Sequence, residues 1–323
     1  MDINILLHLQ EFRNGGGGIF AEFLAKMTFF GELNTALLVM AVVYWCASKR
    51  LGTYLLMGWN ANRLINGFLK VTVCAYRPWI RDARVVPFGN SMATATGYSF
   101  PSGHATNASS VFGGGMLWKN SSGTMRVLLG IVVVLVAFSR IYLGVHTPQD
   151  ILCGAGFSLL TMWLTLKMMD RLETRPEKDR IVAGVGIALA VLLAVYASLK
   201  SYPRNYGADG KLLVDGAKMA NDTFKAAGWC AAFLLGRLLE RRFVGFSTDV
   251  PASVKATRFV GGVLGFYAVT LILVPLVKGR FPGAAGTAAA CFIQMFYIAF
   301  LFPLIFRCVE KRSTRSEEVV NVR

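Results

Sequence analysis

The sequence predicts an all-α, polytopic membrane helical bundle, and three features indicate this fold class. Of its 323 residues, 54% are hydrophobic and only 16% are charged, whereas soluble domains carry about 25% charged residues. The apolar residues form separated runs, and a helix of roughly 20 such residues crosses the hydrocarbon core of a bilayer. Lys and Arg lie in short loops between the runs, where they act as orientation signals.

The first region of the chain is too polar to span a membrane. Residues 1–14 and 19–30 carry apolar side chains at helical spacing on either side of the glycines at 15–18, which predicts a pair of amphipathic interfacial helices within residues 1–30. Nine candidate spans follow, at about 32–48, 51–73, 104–118, 125–144, 149–168, 180–199, 225–240, 258–277 and 287–307.

The net charge of +16 does not indicate a nucleic-acid partner, because the cations are spread over many loops instead of forming one patch. With nine spans, the loops on one side hold 19 Lys and Arg, and those on the other side hold 13. The positive-inside rule places the richer side in the cytoplasm and the stretch "PSGH" at 101–104 outside it. We therefore expect a multi-pass protein of a bacterial-type plasma membrane with membrane lipids as its surroundings.

The first polar cluster closes the second predicted span. Lys70 and Arg77 in "KVTVCAYRP" are two helical turns apart and share one face, and Pro78 ends the helix. One interpretation is a pair of cations that reach to the lipid headgroups. The other is a pair that binds an anion.

The second cluster is "PSGH" at 101–104. Ser102 fits as the N-cap of the apolar run that follows, and Gly103 lets a ligand approach the backbone closely. The free N–H groups and the positive dipole end of a helix N-terminus bind anions. His104 then lies beside such an anion, or is simply the second residue of a capped helix.

The third cluster is "SRIYLGVHTPQD" at 139–150, with Arg140 near the outer end of the fourth span. Thr147 fits as an N-cap and Asp150 as the third residue of the next helix, where its carboxylate helps to cap the helix. Asp150 also lies within reach of His146, four residues earlier. That contact fixes the tautomer of the imidazole and leaves its other nitrogen as a nucleophile.

Together the three clusters predict a phosphate site. They lie on the same side of the predicted membrane topology, and apolar helices carry ionisable residues mainly for function. Arg matches phosphate oxygens in a bidentate manner and Lys adds a point charge. The sequence contains no carboxylate pair or His-Glu cluster suited to a metal, so we expect neither a metal nor a cofactor.

The three clusters also resemble a known family. K-x6-R-P at 70–78, P-S-G-H at 101–104 and S-R-x5-H-x3-D at 139–150 are similar to the three signature motifs of the type-2 phosphatidic acid phosphatase superfamily, the lipid phosphate phosphatase and vanadium haloperoxidase-like proteins. All three are complete and in order, and the resemblance covers roughly residues 20–170.

The resemblance implies a six-helix phosphatase-like transmembrane core at 31–170, which holds the motifs, and a C-terminal transmembrane extension of about three to four helices at 171–323. It further implies metal-independent hydrolysis of a lipid phosphomonoester or diphosphate at the extracytoplasmic face. His146 would form a phosphohistidine with the support of Asp150, and His104 would protonate the leaving alkoxide and then activate water. The phosphate oxygens would be held by Lys70, Arg77, Arg140 and the backbone near Ser102 and Gly103.

Two other functions stay open at this point. One is a phosphotransferase in which an alcohol accepts the phosphoryl group. The other is a non-catalytic binder or transporter of lipid phosphates, which explains the cations but not the pairing of His146 with Asp150. The sequence does not distinguish sphingoid-base phosphate, phosphatidic acid, phosphatidylglycerol phosphate and isoprenoid diphosphate as substrates, and it does not predict an oligomeric state.

Three further features allow more than one interpretation. Arg63 and Asn66 share a helical face with Lys70 and form either an interhelical hydrogen-bond ladder, which is favoured, or an inward extension of the site. Arg81 and Arg84 are either solvated loop charges, also favoured, or ligands of a second phosphate. The loop at 200–224 either shapes substrate entry or only connects two spans.

Overall fold

The computed structural model describes the backbone of residues 2–207 and 209–321 and the side chains of residues 2–207 and 209–311. In this part of the chain the regular secondary structure is helical, apart from one isolated β-bridge between Tyr206 and Leu212. The predicted all-α fold is therefore confirmed.

The α-helices differ widely in length, and several are continued by a π-helical turn. They are α1 (Asp2–Asn14), α2 (Gly18–Met27), α3 (Leu33–Val42), α4 (Lys49–Val73), α5 (Pro78–Arg81), α6 (Gly103–Ala108), α7 (Gly114–Leu117), α8 (Gly123–Tyr142), α9 (Pro148–Thr174), α10 (Asp179–Leu199), α11 (Gly216–Leu239), α12 (Ala252–Ala268), α13 (Val274–Arg280), α14 (Gly283–Phe296) and α15 (Phe302–Asn321). The π-helical turns are Val43–Ala47, Ser109–Gly113, Glu240–Val244, Val269–Leu273 and Tyr297–Leu301.

Local signals set where the long helices begin and end. Ser48 caps α4 by accepting a hydrogen bond from the Leu51 amide at 3.2 Å, and α4 ends at Cys74, which adopts a left-handed conformation with φ of 52°. Ser122 caps α8 through the Met125 amide at 3.2 Å. These hydroxyls satisfy N–H groups that have no partner within the helix, so each apolar run starts at a defined residue.

Among the described residues, five helical segments are long and apolar enough to cross a membrane: Gly123–Tyr142, Pro148–Thr174, Pro176–Leu199, Ala252–Arg280 and Gly283–Lys311. They match the predicted spans that begin near residues 125, 149, 180, 258 and 287. A sixth span results if Gly18–Gly31 and Leu33–Ala47, which meet at 55°, are taken together. The sequence analysis instead predicts an interfacial helix at 19–30 and a span at 32–48 alone.

The other three predicted spans are helical but do not meet the same test of length and apolar character. They correspond to α4, to the short helices α6 and α7, and to α11. Helix α4 buries Asn60, Asn62 and Asn66, and α6 buries His104 and Asn107. These helices carry polar side chains because they face the interior of the bundle, where partners satisfy the polar groups.

A single hydrophobic core joins residues on both sides of position 170. Trp45 and Trp59 belong to it together with Trp229 and Phe233 of α11, and α11 packs against α4, α10 and α14. The Trp45 indole donates to the carbonyl of Ile298 at 2.9 Å. The C-terminal third of the chain is thus packed directly on the motif-bearing helices.

Four helix termini meet at one end of the bundle. Helices α4 and α8 end there, and α6 and α9 begin there. Helix α1 lies against the same end, because Arg13 donates to the carbonyls of Tyr142 at 3.0 Å and Val86 at 2.8 Å. The three sequence motifs are consequently brought to one place.

Replacing Gly228 by Ala tests the contact between α11 and α14. A Cβ at Gly228 would lie 2.3 Å from the backbone oxygen of Ala288, so the helices must separate, and overpacking of this kind typically costs about 1–3 kcal/mol. We expect a lower melting temperature for the purified protein in detergent. The matched control is Gly184→Ala in α10, where a Cβ meets nothing within 4 Å. A Gly228→Ala protein as stable as this control would contradict the close packing.

Candidate active site

Arg77 lies between the end of α4 and Pro78, and backbone carbonyls hold its side chain. Its Nε donates to Gly97 O at 3.0 Å, its Nη2 to Thr96 O at 3.1 Å and its Nη1 to Val145 O at 3.0 Å. Three carbonyls from two separate loops therefore fix the plane of the guanidinium. This arrangement leaves Nη1 facing the ring of His146.

His146 lies between Arg77 and Asp150. Arg77 Nη1 is 2.8 Å from His146 Nε2, and His146 Nδ1 is 3.3 Å from Asp150 Oδ2. Since guanidinium nitrogens only donate, Nε2 accepts, and the proton of the neutral ring resides on Nδ1 and points to the carboxylate. The imidazole thus presents the lone pair of Nε2 to the cation.

The carboxylate of Asp150 has two roles at once. Its Oδ2 accepts the amide of Thr147 at 2.8 Å and so completes the capping box of α9. The same oxygen faces His146. The two interpretations that the sequence left side by side therefore coexist in the structure.

Ser99 is a site residue that sequence reasoning missed. Its hydroxyl donates to Asp150 Oδ2 at 2.5 Å and lies 3.4 Å from His146 Nδ1. Its amide donates to Ala75 O at 2.7 Å, which ties it to the end of α4. The only available signal was its position two residues before Pro101, and spacing alone does not indicate this contact.

The N-terminus of α6 meets that of α9. Ser102 caps α6 through the Ala105 amide at 3.4 Å and donates its own amide to Asp150 O at 2.9 Å. Gly154 makes this approach possible, because a Cβ there would lie 2.9 Å from Ser102 O. The amides of Gly103 and His104 belong to the first turn, where N–H groups have no acceptor within the helix.

His104, Lys70 and Arg140 complete the predicted set. His104 is buried, and its Nε2 has no hydrogen-bond partner. Lys70 Nζ donates to Tyr98 O at 2.8 Å. Arg140 is fully buried; its Nη2 lies 3.4 Å from the hydroxyl of Thr94, while its Nε and Nη1 have no partner. Buried donors without acceptors favour binding of an anion.

These groups surround a cavity of about 360 Å³, which we call the polar cavity. Of the predicted site residues, Lys70, Arg77, Gly103, His104 and His146 line it. Ser102, Arg140 and Asp150 adjoin this lining: Ser102 directly precedes Gly103, and Arg140 and Asp150 contact Thr94 and His146. The structure therefore brings all eight predicted residues to one site.

Helix α11 forms a further wall of the polar cavity. The sequence analysis did not predict this wall. The residues that line the cavity and were not predicted include Glu32, Thr94, Thr96, Asn107, Met219, Asp222, Thr223 and Lys225. Met219 to Lys225 belong to α11, which begins at Gly216, so the last part of the predicted 200–224 loop is helical and borders the site. Their signal was absent from the sequence because no motif spans the long separation to Lys70.

The remaining residues singled out in the sequence differ in whether they border the polar cavity. Arg63 and Asn66 both border the polar cavity, and Asn66 also donates to Thr106 Oγ1 at 3.0 Å as in an interhelical ladder. Arg81 and Arg84 are ion-paired at 2.7 Å with Asp2 and Asp82 respectively and do not line the cavity. Among the described residues, no group of three or more His, Cys, Asp or Glu is close enough to hold a metal ion.

Burial and neighbouring charges set the protonation of Arg77 and His146. Burial, together with the charge of Arg140, lowers the pKa of Arg77 to about 9, so Arg77 is cationic at neutral pH. Burial and the charge of Arg77 hold the pKa of His146 well below its usual range, while the carboxylate of Asp150 acts in the opposite direction. The site therefore combines a neutral imidazole with cations, as an anionic electrophile requires.

Known proteins share the motif region and the extension. The family model of the PAP2 superfamily matches residues 34–173, and that of the PAP2 superfamily phosphatase transmembrane extension matches residues 224–314. Together the two models match more than two thirds of the chain. No solved structure gives a significant match.

Curated relatives include three proteins whose names give different activities. The chain is 30% identical over 135 residues to phosphatidylglycerophosphatase B of Bacillus subtilis, covering 39% of this chain and 62% of the relative. It is 40% identical over 83 residues to undecaprenyl-diphosphatase of Sulfolobus acidocaldarius, covering 26% and 38%. It is 24% identical over 149 residues to sphingosine-1-phosphate phosphatase 1 of Mus musculus, covering 44% and 33%.

The matched segments span from a third to about three fifths of these relatives. The PAP2 superfamily model covers the three motifs, and the family model of the transmembrane extension matches the apolar helices that follow. The resemblance seen in the motifs is thereby confirmed over most of the sequence. The chain is a multi-pass integral-membrane protein and belongs to the PAP2 superfamily.

Proposed function

We propose that this chain is a membrane lipid phosphatase that hydrolyses a phosphomonoester or diphosphate of a lipid through a phosphohistidine, without a metal. One observation carries the proposal. His146 lines the polar cavity, its Nε2 lies 2.8 Å from Arg77 Nη1, and its Nδ1 faces Asp150. A protein that only binds lipid phosphates through its cations has no need for a nucleophile oriented in this way.

In the first step, Arg77 Nη1 moves its hydrogen bond from His146 Nε2 to a phosphate oxygen, and the freed lone pair of Nε2 attacks phosphorus in line with the lipid oxygen. The N–P bond forms as the P–O bond breaks, and the electron pair goes to the leaving oxygen. The Nδ1–H of His146 remains hydrogen-bonded to Asp150, which stabilises the positive charge on the ring. Ser99 and the Thr147 amide hold that carboxylate in place.

His104 serves as the acid and then as the base. It lies in the lining of the same cavity, and its Nε2 has no protein partner, so its ring is free to give a proton to the leaving oxygen. In the second step it takes a proton from water, which attacks phosphorus and releases His146. General acid-base catalysis of this kind contributes about 10²–10⁴-fold to the rate.

Charge stabilisation comes from the cations and the helix N-terminus. Lys70 and Arg77 line the cavity, Arg140 offers two unpaired nitrogens, and the amides of Gly103 and His104 point out of the first turn of α6. Phosphoryl transfer depends mainly on positioning and on such electrostatic stabilisation. Each donor removed from a preorganised set typically lowers kcat by about 10²–10³-fold.

The names of the relatives and the loop charges support the proposed substrate class and location. The named relatives act on phosphatidylglycerophosphate, undecaprenyl diphosphate and sphingosine 1-phosphate according to their names, so lipid phosphates are the proposed substrate class. The excess of Lys and Arg on the opposite face favours a site that opens outside the cytoplasm of a bacterial-type plasma membrane.

Replacing His146 by Ala removes the nucleophile, and we expect phosphate release from lipid phosphates in detergent micelles to fall by at least about 10³-fold. Wild-type activity should be insensitive to EDTA. Rapid quenching with labelled substrate should trap an acid-labile phosphoprotein in the wild type but not in the variant. The control is Arg84→Gln, which lies outside the polar cavity. Activity that survives in a folded His146→Ala protein contradicts the mechanism.

The pH dependence follows from the lowered pKa of His146. The ring must be neutral to attack, and it becomes protonated only as the pH falls below the ordinary histidine value of about 6.5. The acidic limb of kcat/KM should therefore lie below pH 6.5. Asp150→Asn removes the carboxylate that favours the protonated ring, so this limb should move to still lower pH. A limb above pH 6.5, or one that stays fixed in Asp150→Asn, argues against His146 as its origin.

Ser99→Ala tests a positioning role behind the nucleophile. Loss of a hydrogen bond to a carboxylate costs about 1.5–3 kcal/mol, so kcat should fall by about 10–100-fold with little change in KM. Ser99→Thr, which keeps the hydroxyl, should restore part of the loss. The matched control is Ser158→Ala, because the buried Ser158 hydroxyl bonds only its own helix at Gly154 O. Equal losses in Ser99→Ala and Ser158→Ala would leave Ser99 with a purely structural role.

A further inference from the structure

Four consecutive residues, which we call the 96–99 segment, form hydrogen bonds with the charged side chains of the site. The bonds run from Arg77 to the carbonyls of Thr96 at 3.1 Å and Gly97 at 3.0 Å, from Lys70 to the carbonyl of Tyr98 at 2.8 Å, and from the Ser99 hydroxyl to Asp150 at 2.5 Å. The position of this segment therefore sets the positions of two cations and one carboxylate.

The 96–99 segment has little backbone support of its own. It belongs to no helix. Among the described residues, the one backbone carbonyl that its amides bond is that of Ala75, at 2.7 Å from the amide of Ser99. Regions with few backbone hydrogen bonds open most easily, so side-chain packing around the segment decides how firmly it holds the cations.

Helix α11 supplies this packing through Met219. The side chain of Met219 is buried and belongs with Tyr98 to one apolar cluster. At Gly97 the approach is so close that a Cβ would lie 2.5 Å from the Met219 sulfur. Gly97 has a φ of 71°, a left-handed conformation that glycine adopts without strain. The thioether of Met219 thus lies directly against the backbone that binds Arg77.

The same apolar cluster connects the 96–99 segment with two helices. Val71 lies at the end of α4, and Val214 lies just before α11. The start of α11 is itself fixed, because Asp215 caps the helix by accepting the amide two residues later at 2.8 Å. Since protein interiors are close-packed, a change at Met219 is passed on to the segment.

We propose that Met219 is a positioning residue of the phosphatase reaction, which holds the 96–99 segment so that Arg77 and Lys70 meet the phosphate. The inference rests on the proposed phosphatase function. Met219 also borders the polar cavity, but a thioether carries no charge and is only a weak hydrogen-bond acceptor. Its effect on the phosphate therefore passes through the two cations, and α11 gains a role in catalysis.

Replacing Met219 by Ala leaves a cavity beside the 96–99 segment. We expect kcat of the full-length protein in detergent micelles to fall by at least about 10-fold while KM changes less than about 3-fold, because small displacements of positioning groups slow the chemical step. The substrate is whichever of phosphatidic acid, phosphatidylglycerol phosphate, sphingosine 1-phosphate and farnesyl diphosphate the wild type hydrolyses fastest. Met219→Leu, which nearly conserves the volume, should keep most of the activity.

The matched control is Met295→Ala. Met295 is an equally buried methionine of α14, and it belongs to the large hydrophobic core. Its replacement removes the same side chain from the same part of the chain without touching the 96–99 segment, so kcat should stay close to the wild-type value.

The pH profile separates positioning from a general loss of stability. The charged or titratable groups that act on the ring of His146 are Arg77, Asp150, Arg140 and His104. The charge of Arg77 lowers the pKa of His146. When Arg77 moves away, the ring is protonated more easily, so the acidic limb of kcat/KM should lie at higher pH in Met219→Ala than in the wild type or in Met295→Ala.

Three results overturn the proposal: an equal fall of kcat in Met219→Ala and Met295→Ala, an acidic limb that stays at the wild-type pH, or a higher KM with unchanged kcat, which indicates direct contact with substrate. If Met219→Ala does not fold, Met219→Val, which removes less of the side chain, decides by the same measurements. In each case His146-dependent phosphate release by the wild type still supports the phosphatase. A wild type that releases no phosphate from any of the four lipids contradicts both.

Discussion

The carboxylate of Asp150 is the point on which the site depends. One oxygen accepts the Thr147 amide, the Ser99 hydroxyl and the Nδ1–H of His146, and the carbonyl of the same residue accepts the Ser102 amide. A single residue thereby connects the first turn of α9, the first turn of α6, the segment after α4 and the proposed nucleophile His146. A charged acceptor is needed here, because it bonds several donors at once and its hydrogen bonds are stronger than neutral ones.

The second constraint is the accumulation of positive charge. Lys70, Arg77 and Arg140 are held largely by backbone carbonyls and a hydroxyl instead of carboxylates. Carbonyl dipoles orient these cations but do not cancel their charge, so the polar cavity stays positive. A phosphate that enters the cavity interacts with these cations, which form no ion pair with a carboxylate among the described residues. Binding of the phosphate then stabilises the folded protein by mass action.

The sequence predicts which chemical groups form the site better than it predicts which segments of the chain border the cavity. Spacing within one helix or one turn placed Lys70 with Arg77 and His146 with Asp150, because these pairs are joined by local geometry. Ser99 and the wall formed by α11 were not predictable, since they arrive from distant parts of the chain and no periodic pattern links them. Hydropathy likewise identified the lipid-facing helices, whereas α4, α6 and α11 are less apolar because they line the interior.

The wall that α11 contributes has a consequence for how the protein is made. Helix α4 begins at Lys49 and α11 at Gly216, so α4 leaves the ribosome well before α11 does, and domains fold largely as they emerge. The three motifs can therefore assemble early, but the cavity stays open on one side until α11 docks between α4 and α14. Completion of the polar cavity is coupled to insertion of the last third of the chain, so the nascent protein is without a closed cavity until the membrane-embedded extension is in place.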